Sequence, residues 1–449
     1  MPEKFNGYPI YTRLTKHPTL CADMKRILLF GAGKSATSLI RYLLDSTAAR
    51  NWQLVVAESN LSLAESKIAG NPQARAVCLD VTREADRDAL VATADIVISL
   101  LPPSLHYGVA LSCLNNNKHL LTASYLDDAI RALEAEIRAR GLLFLCEMGL
   151  DPGIDHMSAL QLIRQIEAEN GRIHSFHSHT GGLVAPESDD NPWHYKISWN
   201  PRNVVLAGAA GARYREANAI VSKTYSQLFE EPGRVILPAI GELAWYPNRD
   251  SLSYIPLYGL EATETFIRTT LRYPAYCRAW KSLVHAGLTD DKTPLNTSGL
   301  SFAEWSAPLR PFVDAENRAQ LEYLGCFDPG PVPPAARTSA DILQYLLETR
   351  LAMQPADRDM IVMIHELGFS RNGDQYTAKS TLIVKGEDSL HTAMARTVGL
   401  PLGIAAILVL EGRINLRGLH IPILPVLYEP VMQELERQGI RFEHRITRN

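Results

Sequence analysis

The chain has 449 residues, of which 46% are apolar and 21% charged, and its formal net charge is −4. That length exceeds one compact core and predicts two or three domains, while the charge balance lacks the basic excess that a nucleic-acid partner requires. No uninterrupted apolar run reaches the ~18 residues of a membrane span, so no membrane association is expected.

The opening "MPEKFNGYPIYTRLTKHPTL" lacks the apolar centre of a signal peptide, and residues 1–23 read as an N-terminal extension. Six cysteines, Cys21, Cys78, Cys113, Cys146, Cys277 and Cys326, are scattered without a CxxC pair. Neither a zinc site nor a disulfide framework is expected, and the pattern fits reduced thiols in the cytoplasm.

From Met24 the text becomes regular. In "MKRILLFGAGKSATSLIRYLL" a short apolar strand runs into Gly31, Ala32 and Gly33, and helical periodicity starts near Ser35. A glycine turn between strand and helix exposes backbone N–H groups where a pyrophosphate can sit. Gly31, Gly33, Lys34, Ser35 and Ala36 are therefore candidate dinucleotide contacts. An ordinary tight turn is the plain alternative. A P-loop is disfavoured, because Leu28 occupies the position of its first glycine.

Further strands follow in "WQLVVAE", "ARAVCLD", "ADIVISLLPP", "KHLLTASY" and "GLLFLCEMG", with helical text between them. Near-continuous apolar strands alternating with helices predict a parallel sheet covered on both faces. Glu58 ends the second strand, where a carboxylate accepts both ribose hydroxyls and repels a 2'-phosphate. Ser59 brings no positive charge, so NAD is the expected cofactor. Asp80 is read as closing the third strand and meeting the adenine. Leu101 and Pro102 lie in the loop after the fourth, beside the nicotinamide path. The prolines of this loop are also simply a helix-start device, so chemistry at its His106 is the lesser reading.

"CEMGLDPGIDHM" joins the first domain to the rest. Its Pro152 and Gly153 fix a turn, Asp155 stands ready to cap the next helix, and Asp151 precedes both on the turn. Leu150, Asp151 and Gly153 are read as cofactor neighbours, and Asp151 with Tyr125 as proton handlers. Beyond Gly149 the composition shifts to Gly, Pro, Trp, Tyr and His. Arg249, Arg268 and Arg272 stand among aromatics, as buried or half-buried guanidinium groups that bind carboxylates would. Residues 276–355 read as helices and loops. "DMIVMIHELGF" and "QYTAKSTLIVKG" predict an antiparallel pair turned at Asn372-Gly373. Helices follow in "HTAMARTVGLPLGIAAILVLEGRI" and "LPVLYEPVMQELERQGI", the latter stopped at Gly439 and read as the last element.

The segments "TASYLDDAIRALEAEIRARGLLFLCEMGLDPGIDHM", "GGLVAPESDDNPWHYKISWNPR", "YPNRDSLSY" and "TLRYPAY" resemble the glutamate-forming saccharopine dehydrogenases, and "MARTVGLPLGIAAILVLEGRI" resembles their C-terminal part. "SLLPPSLHYGVALSC" and "TASYLDD" are spelled most like the degradative plant and animal enzymes. The resemblance implies an α/β protein: a Rossmann-type parallel-sheet domain over 24–149 and a mixed α/β substrate domain with a small helical insertion. The substrate domain would comprise 150–275 and strands in 356–393, the insertion 276–355. Residues 394–449 would return to the first domain as helices. It implies a small-molecule substrate, saccharopine, cleaved to glutamate and 2-aminoadipate 6-semialdehyde or formed in reverse, and a possible homodimer. Ser124, Tyr125, Asp151, Trp199, Arg249, Thr270, Leu271 and Arg272 would meet that substrate. The chain departs from the family where "SYCGG" is replaced by Ser178-His179-Thr180-Gly181-Gly182. A carboxynorspermidine-type oxidoreductase and a catalytically silent metabolite sensor are the rival readings.

Overall fold

The structure is a computed structural model that describes residues 24–449; the expected extension over 1–23 lies outside the described residues. The first strands are β1 (Arg26–Phe30), β2 (Gln53–Glu58), β3 (Ala74–Cys78), β4 (Ile96–Ser99), β5 (His119–Thr122) and β6 (Leu143–Leu145). The next are β7 (Arg172–Val184), β8 (Ala212–Glu216), β9 (Ala219–Lys223), β10 (Gly233–Leu237), β11 (Gly241–Pro247), β12 (Arg249–Asp250) and β13 (Thr265–Arg272). The last are β14 (Asp359–Arg371), β15 (Asp374–Lys385), β16 (Gly418–His420) and β17 (Glu443–Arg448).

They form two sheets. The first is wholly parallel in the order β16-β6-β5-β4-β1-β2-β3. Its chain crosses over between β3 and β4, so the order reverses beside β1 and β4. In open α/β sheets a dinucleotide usually binds at such a reversal, outside the strands' carboxyl ends. The second sheet runs β10-β11-β13-β7-β14-β15-β17, with β8, β9 and β12 attached beside β13. In it β13 and β7 are parallel, and the long β14–β15 hairpin turns at Asn372 and Gly373, both with positive φ. Two consecutive left-handed residues match the twist of the strands they join.

The helix Ile154–Ala168 leaves the first sheet and packs on the second; Ser158 on it bonds His365 of β14 at 2.7 Å. The helix Ala393–Leu410 is capped by the Thr392 hydroxyl and by both oxygens of Asp359, which accept from Ala393 and Met394 at 2.6 and 2.9 Å. By length and mean composition it is apolar enough to cross a membrane, although Arg396 interrupts its apolar run. Almost all of it is buried, however. Gly399 and Gly403 let it approach the helix Thr37–Arg50 so closely that a Cβ at Gly399 would lie 2.9 Å from Leu39. The helices Pro274–His285 and Ser339–Arg350 form a separate core with Trp193, Tyr195 and Tyr246 of the larger domain.

Two elements differ from expectation. β16 adds a seventh strand to the first sheet, three residues too short to show a period. The chain does not end on the helix Pro425–Arg437: β17 follows and pairs with β15 in the second sheet. Its six residues, Glu443 to Arg448, are all exposed and mostly polar, so no buried face marks them as a strand.

Candidate active site

The turn after β1 is shaped by sterics. Gly31 has φ 98°, and a Cβ there would lie 2.7 Å from the Leu100 carbonyl beyond β4. Gly33 instead faces open space, leaving its backbone approachable. Ala36 is buried under the helix, Lys34 is exposed and Ser35 half-buried. The Glu58 carboxylate bridges the end of β2 to this turn. It accepts from the Ala32 N–H at 2.8 Å and from the Ser59 N–H and hydroxyl, both at 2.8 Å. Burial pushes the Glu58 carboxyl up, but these donors outweigh it and hold the group below its ordinary range. A half-buried anion thus stands beside the glycine turn.

Leu101 is half-buried and Pro102 exposed on the loop after β4. Asp80 does not close β3, which ends at Cys78; it starts a turn, where Thr82 donates to it through its N–H at 3.0 Å and its hydroxyl at 2.7 Å. The local hydrogen bonds of a short polar side chain stop the strand two residues early.

The second half of the site lies where the two sheets meet. Gly149 and Gly153 close a tight loop: the Gly149 N–H bonds the Pro152 carbonyl and the Ile154 N–H bonds the Gly149 carbonyl, both at 2.9 Å. A Cβ at Gly153, where φ is 146°, would come within 2.1 Å of the Gly149 oxygen, so only glycine fits. Leu150 turns into the core, contrary to its expected place beside the cofactor, and Asp151 is half-buried on the turn.

Asp151 accepts from the Tyr125 hydroxyl at 2.9 Å and from Arg268 Nη2 at 2.6 Å. The same nitrogen reaches Asp155 at 2.7 Å, and Asp155 also accepts the Gly153 N–H at 2.6 Å. Arg268 lies over the Tyr254 ring, 4.3 Å from its centroid, and its Nη1 is buried without a partner. Arg249 lies 5.0 Å from the centroid of Tyr125.

The electrostatics divide the two aspartates. Burial raises Asp151 more than Arg268 lowers it, and Asp155 adds to the rise. Asp155 is also raised by burial, but His156, Arg268 and the Gly153 N–H together bring it below its ordinary range. Burial and then the Asp151 charge push Tyr125 well up. Two neighbouring carboxyls set apart in this way, one suited to carry a proton and one to stay ionised, are the elements of an acid–base site. His156, fully buried, bonds Glu147 at 2.8 Å and Tyr258 at 2.6 Å behind this cluster.

Farther along β13, Arg272 is buried over the rings of Tyr195 and Tyr276, at 5.3 and 5.4 Å, and its Nε has no partner. Trp199 donates to the Tyr195 hydroxyl at 3.0 Å. Strand alternation puts Arg268, Thr270 and Arg272 on one face.

Two models of known families match: residues 27–145 the "Saccharopine dehydrogenase NADP binding domain", and residues 149–440 the "Saccharopine dehydrogenase C-terminal domain". A saccharopine dehydrogenase [NADP(+), L-glutamate-forming] of Saccharomyces cerevisiae is 32% identical over 93% of this chain and 98% of its own. An alpha-aminoadipic semialdehyde synthase of Arabidopsis thaliana is 32% identical over 88% of this chain, which spans 41% of that longer protein. The solved structure of the apo, histidine-tagged S. cerevisiae saccharopine dehydrogenase (L-Glu forming) superposes with a TM-score of 0.82 at 33% identity. It covers 94% of this chain and 100% of that one.

The chain belongs to the saccharopine dehydrogenase family.

Several expected residues sit differently within this family fold. Leu271 alternates to the far side of β13 and packs in a core with Leu183 and Val362, so its side chain does not face the cleft. Arg249 is exposed, not buried or half-buried, because φ of 52° turns it outward at the start of the short β12. The Ser124 hydroxyl bonds His106 Nε2 at 2.7 Å, and His106 Nδ1 bonds Ser99 at 2.8 Å. Burial pulls His106 down to about 4, so it is a neutral core histidine that orients Ser124. In the altered "SHTGG" motif, His179 points away from the cleft and bonds Thr269 at 2.7 Å. Thr180 pairs with Thr270 on the cleft-facing side. The change from the family's Tyr is therefore remote from the site, while Thr180 puts a hydroxyl where the family has a thiol. From the sequence alone Arg268 is only one of three arginines among aromatics. Its central position comes from the register of β13 against β7, which no local spacing reveals.

Proposed function

We propose that this chain catalyses the NAD-dependent oxidative cleavage of saccharopine to L-glutamate and 2-aminoadipate 6-semialdehyde, or the reverse reductive condensation. The observation that carries this reading is the cluster of Asp151, Tyr125, Arg268 and Asp155 at the join of the two sheets, beside a glycine turn fit for a dinucleotide. The N–H groups of Gly33, Lys34 and Ser35 would hold the pyrophosphate on a turn shaped by Gly31 and Ala36, whose own N–H groups bond the Ala57 and Gly33 carbonyls. Glu58 would lie on the adenosine ribose, with Leu101, Pro102 and Gly153 walling the nicotinamide; Leu150, expected there, is in the core. NAD, when bound, supplies the hydride acceptor.

The remaining chemistry falls to side chains. Loss of hydride from the carbon beside the secondary amine leaves an imine. Water adds to that carbon, and the carbon–nitrogen bond breaks to release an aldehyde and a primary amine. Asp151, its proton affinity raised by burial, takes a proton from the attacking water and returns one to the departing nitrogen. Tyr125 shares the hydrogen bond and orients the carboxyl. Arg268 holds Asp151 in place and, with Asp155, keeps the local charge balanced. Arg272 and Arg249 pair with substrate carboxylates, and Ser124, Trp199 and Thr270 line the same pocket.

The preference for NAD rests on Glu58 and on Ser59, which offers no counter-charge. The fungal relatives carry NADP(+) in their names, so the discriminating measurement is direct. Purified protein and saccharopine should reduce NAD, followed at 340 nm, and NADP should serve less well. Absence of turnover with either cofactor, in both directions, would rule out the activity. We also propose a reducing, cytoplasmic setting, since the cysteines among the described residues are all free; cell fractionation tests it.

A further inference from the structure

The helix Leu61–Ile68 sends one long side chain back to the glycine turn. Lys67 Nζ donates to the Gly33 carbonyl at 2.5 Å and to the Thr37 hydroxyl at 3.0 Å. Both acceptors are neutral, although an ammonium carries three donors and a full charge. Half-buried lysines ordinarily find a carboxylate, because desolvating an unpaired charge is costly. Here burial pulls the Lys67 ammonium down to about 8, and the field of Glu58 restores only part of the loss.

Lys67 and Glu58 thus hold opposite charges against the same glycine turn. Glu58 bonds it at Ala32 and Lys67 at Gly33. Arg83, just beyond β3, is engaged with Asp86 at 3.1 Å. Ser59 and Asn60 between β2 and the helix are uncharged, and Asn60 is occupied in capping the helix through Leu63.

We propose that Lys67 is the 2'-phosphate reader of this site: a cation that recognises a phosphorylated adenosine ribose in opposition to Glu58. The inference rests on the assignment of the glycine turn as the dinucleotide site and deepens it. Lysine acts on a phosphate as a point charge and needs no planar geometry. Its side chain is flexible enough to exchange the Gly33 carbonyl for a phosphate oxygen. The cofactor ratio is then a balance between two residues, not the consequence of Glu58 alone. Removing Glu58 releases Lys67 to bind phosphate; removing Lys67 leaves the carboxylate unopposed.

The test separates this role from simple bracing of the turn. Binding of adenosine 2',5'-bisphosphate and of 5'-AMP would be measured by titration calorimetry on the full chain, with circular dichroism as the check on folding. Lys67→Met should weaken the bisphosphate about tenfold, equal to ~1.4 kcal/mol, while 5'-AMP changes less than threefold. Lys67→Arg should keep the bisphosphate. Glu58→Ser should tighten the bisphosphate about tenfold, and the double variant Glu58→Ser with Lys67→Met should lose that gain. Equal weakening of both nucleotides in Lys67→Met would make Lys67 a brace and overturn the proposal, as would no change in either. If the unaltered protein instead favours NADP while Lys67→Met still loses only the bisphosphate, the NAD preference fails and the role of Lys67 stands. If neither nucleotide binds the unaltered protein, the dinucleotide assignment itself fails.

Discussion

The two halves of the cleft solve opposite electrostatic problems. At the glycine turn most of the recognition is offered by backbone, Gly33 faces open space, and the Glu58 carboxylate already accepts from four donors. Around Arg268, several ionisable side chains are packed out of water, and Nη1 of Arg268 and Nε of Arg272 have no partner. The first half is a finished surface to which a ligand adds. The second holds buried donors without a protein partner, each of which costs about 1–3 kcal/mol while unpaired. Substitutions should therefore act differently in the two places.

The largest expected effect is at Asp151. Asp151→Asn keeps the shape and removes the titrating group, so kcat should fall by about 10²- to 10⁴-fold, with a smaller change in the KM for NAD. A kcat that stays at the unaltered value from pH 6 to 10 would remove Asp151 from proton transfer and leave it as part of the turn.

Arg272 should come next. It is buried against two tyrosines, and losing a desolvated charge partner costs about 2–5 kcal/mol. Arg272→Lys keeps the charge but loses the two-pronged geometry, and should lower kcat/KM for saccharopine by at least about tenfold, which is ~1.4 kcal/mol, with NAD binding by fluorescence quenching nearly unchanged. Arg249 is exposed, so Arg249→Ala should cost less. Loss of NAD affinity with saccharopine kinetics intact would put either arginine in the cofactor half.

The core behind both halves predicts a pH dependence. Burial holds His106 and His365 down to about 4 and His179 down to about 3. These histidines bind protons more readily when the chain is unfolded. Their stabilisation is complete above the unfolded value and is lost as pH falls from about 6.5 towards 4, at roughly 2 kcal/mol for His106 by pH 5. Asp359, raised to about 6, works in the opposite direction. The useful measurement is therefore a difference. The thermal midpoint of His106→Gln should fall less between pH 7.5 and 5 than that of the unaltered chain. Parallel slopes would mean that His106 is not buried in its neutral form.

The smallest effect expected is cofactor choice. NAD should exceed NADP by at least about tenfold in kcat/KM, which is ~1.4 kcal/mol. Equal efficiency would mean that Glu58 is outweighed at the glycine turn.

The amino-acid sequence by itself determined the glycine turn and the carboxylate beside it. Gly31, Gly33 and Glu58 lie within one strand–turn–helix–strand unit, so backbone stereochemistry and a short loop bring them together wherever that unit folds. The apolar strands, the Asn372-Gly373 hairpin and the stop at Gly439 are equally local, each set by the φ angles or periodicity of a few residues. Only the tertiary structure decided the other half. Tyr125, Asp151 and Arg268 come from distant segments, and the pairing of β13 with β7 chooses Arg268 for the centre and turns Leu271 away. One step of strand register reverses the face of every side chain, and that register is set by pairing with a strand distant in the chain rather than by any sequence neighbour. The same is true of β16 and β17: they are short or wholly exposed, have no period of their own, and become strands because an unpaired edge was there to receive them.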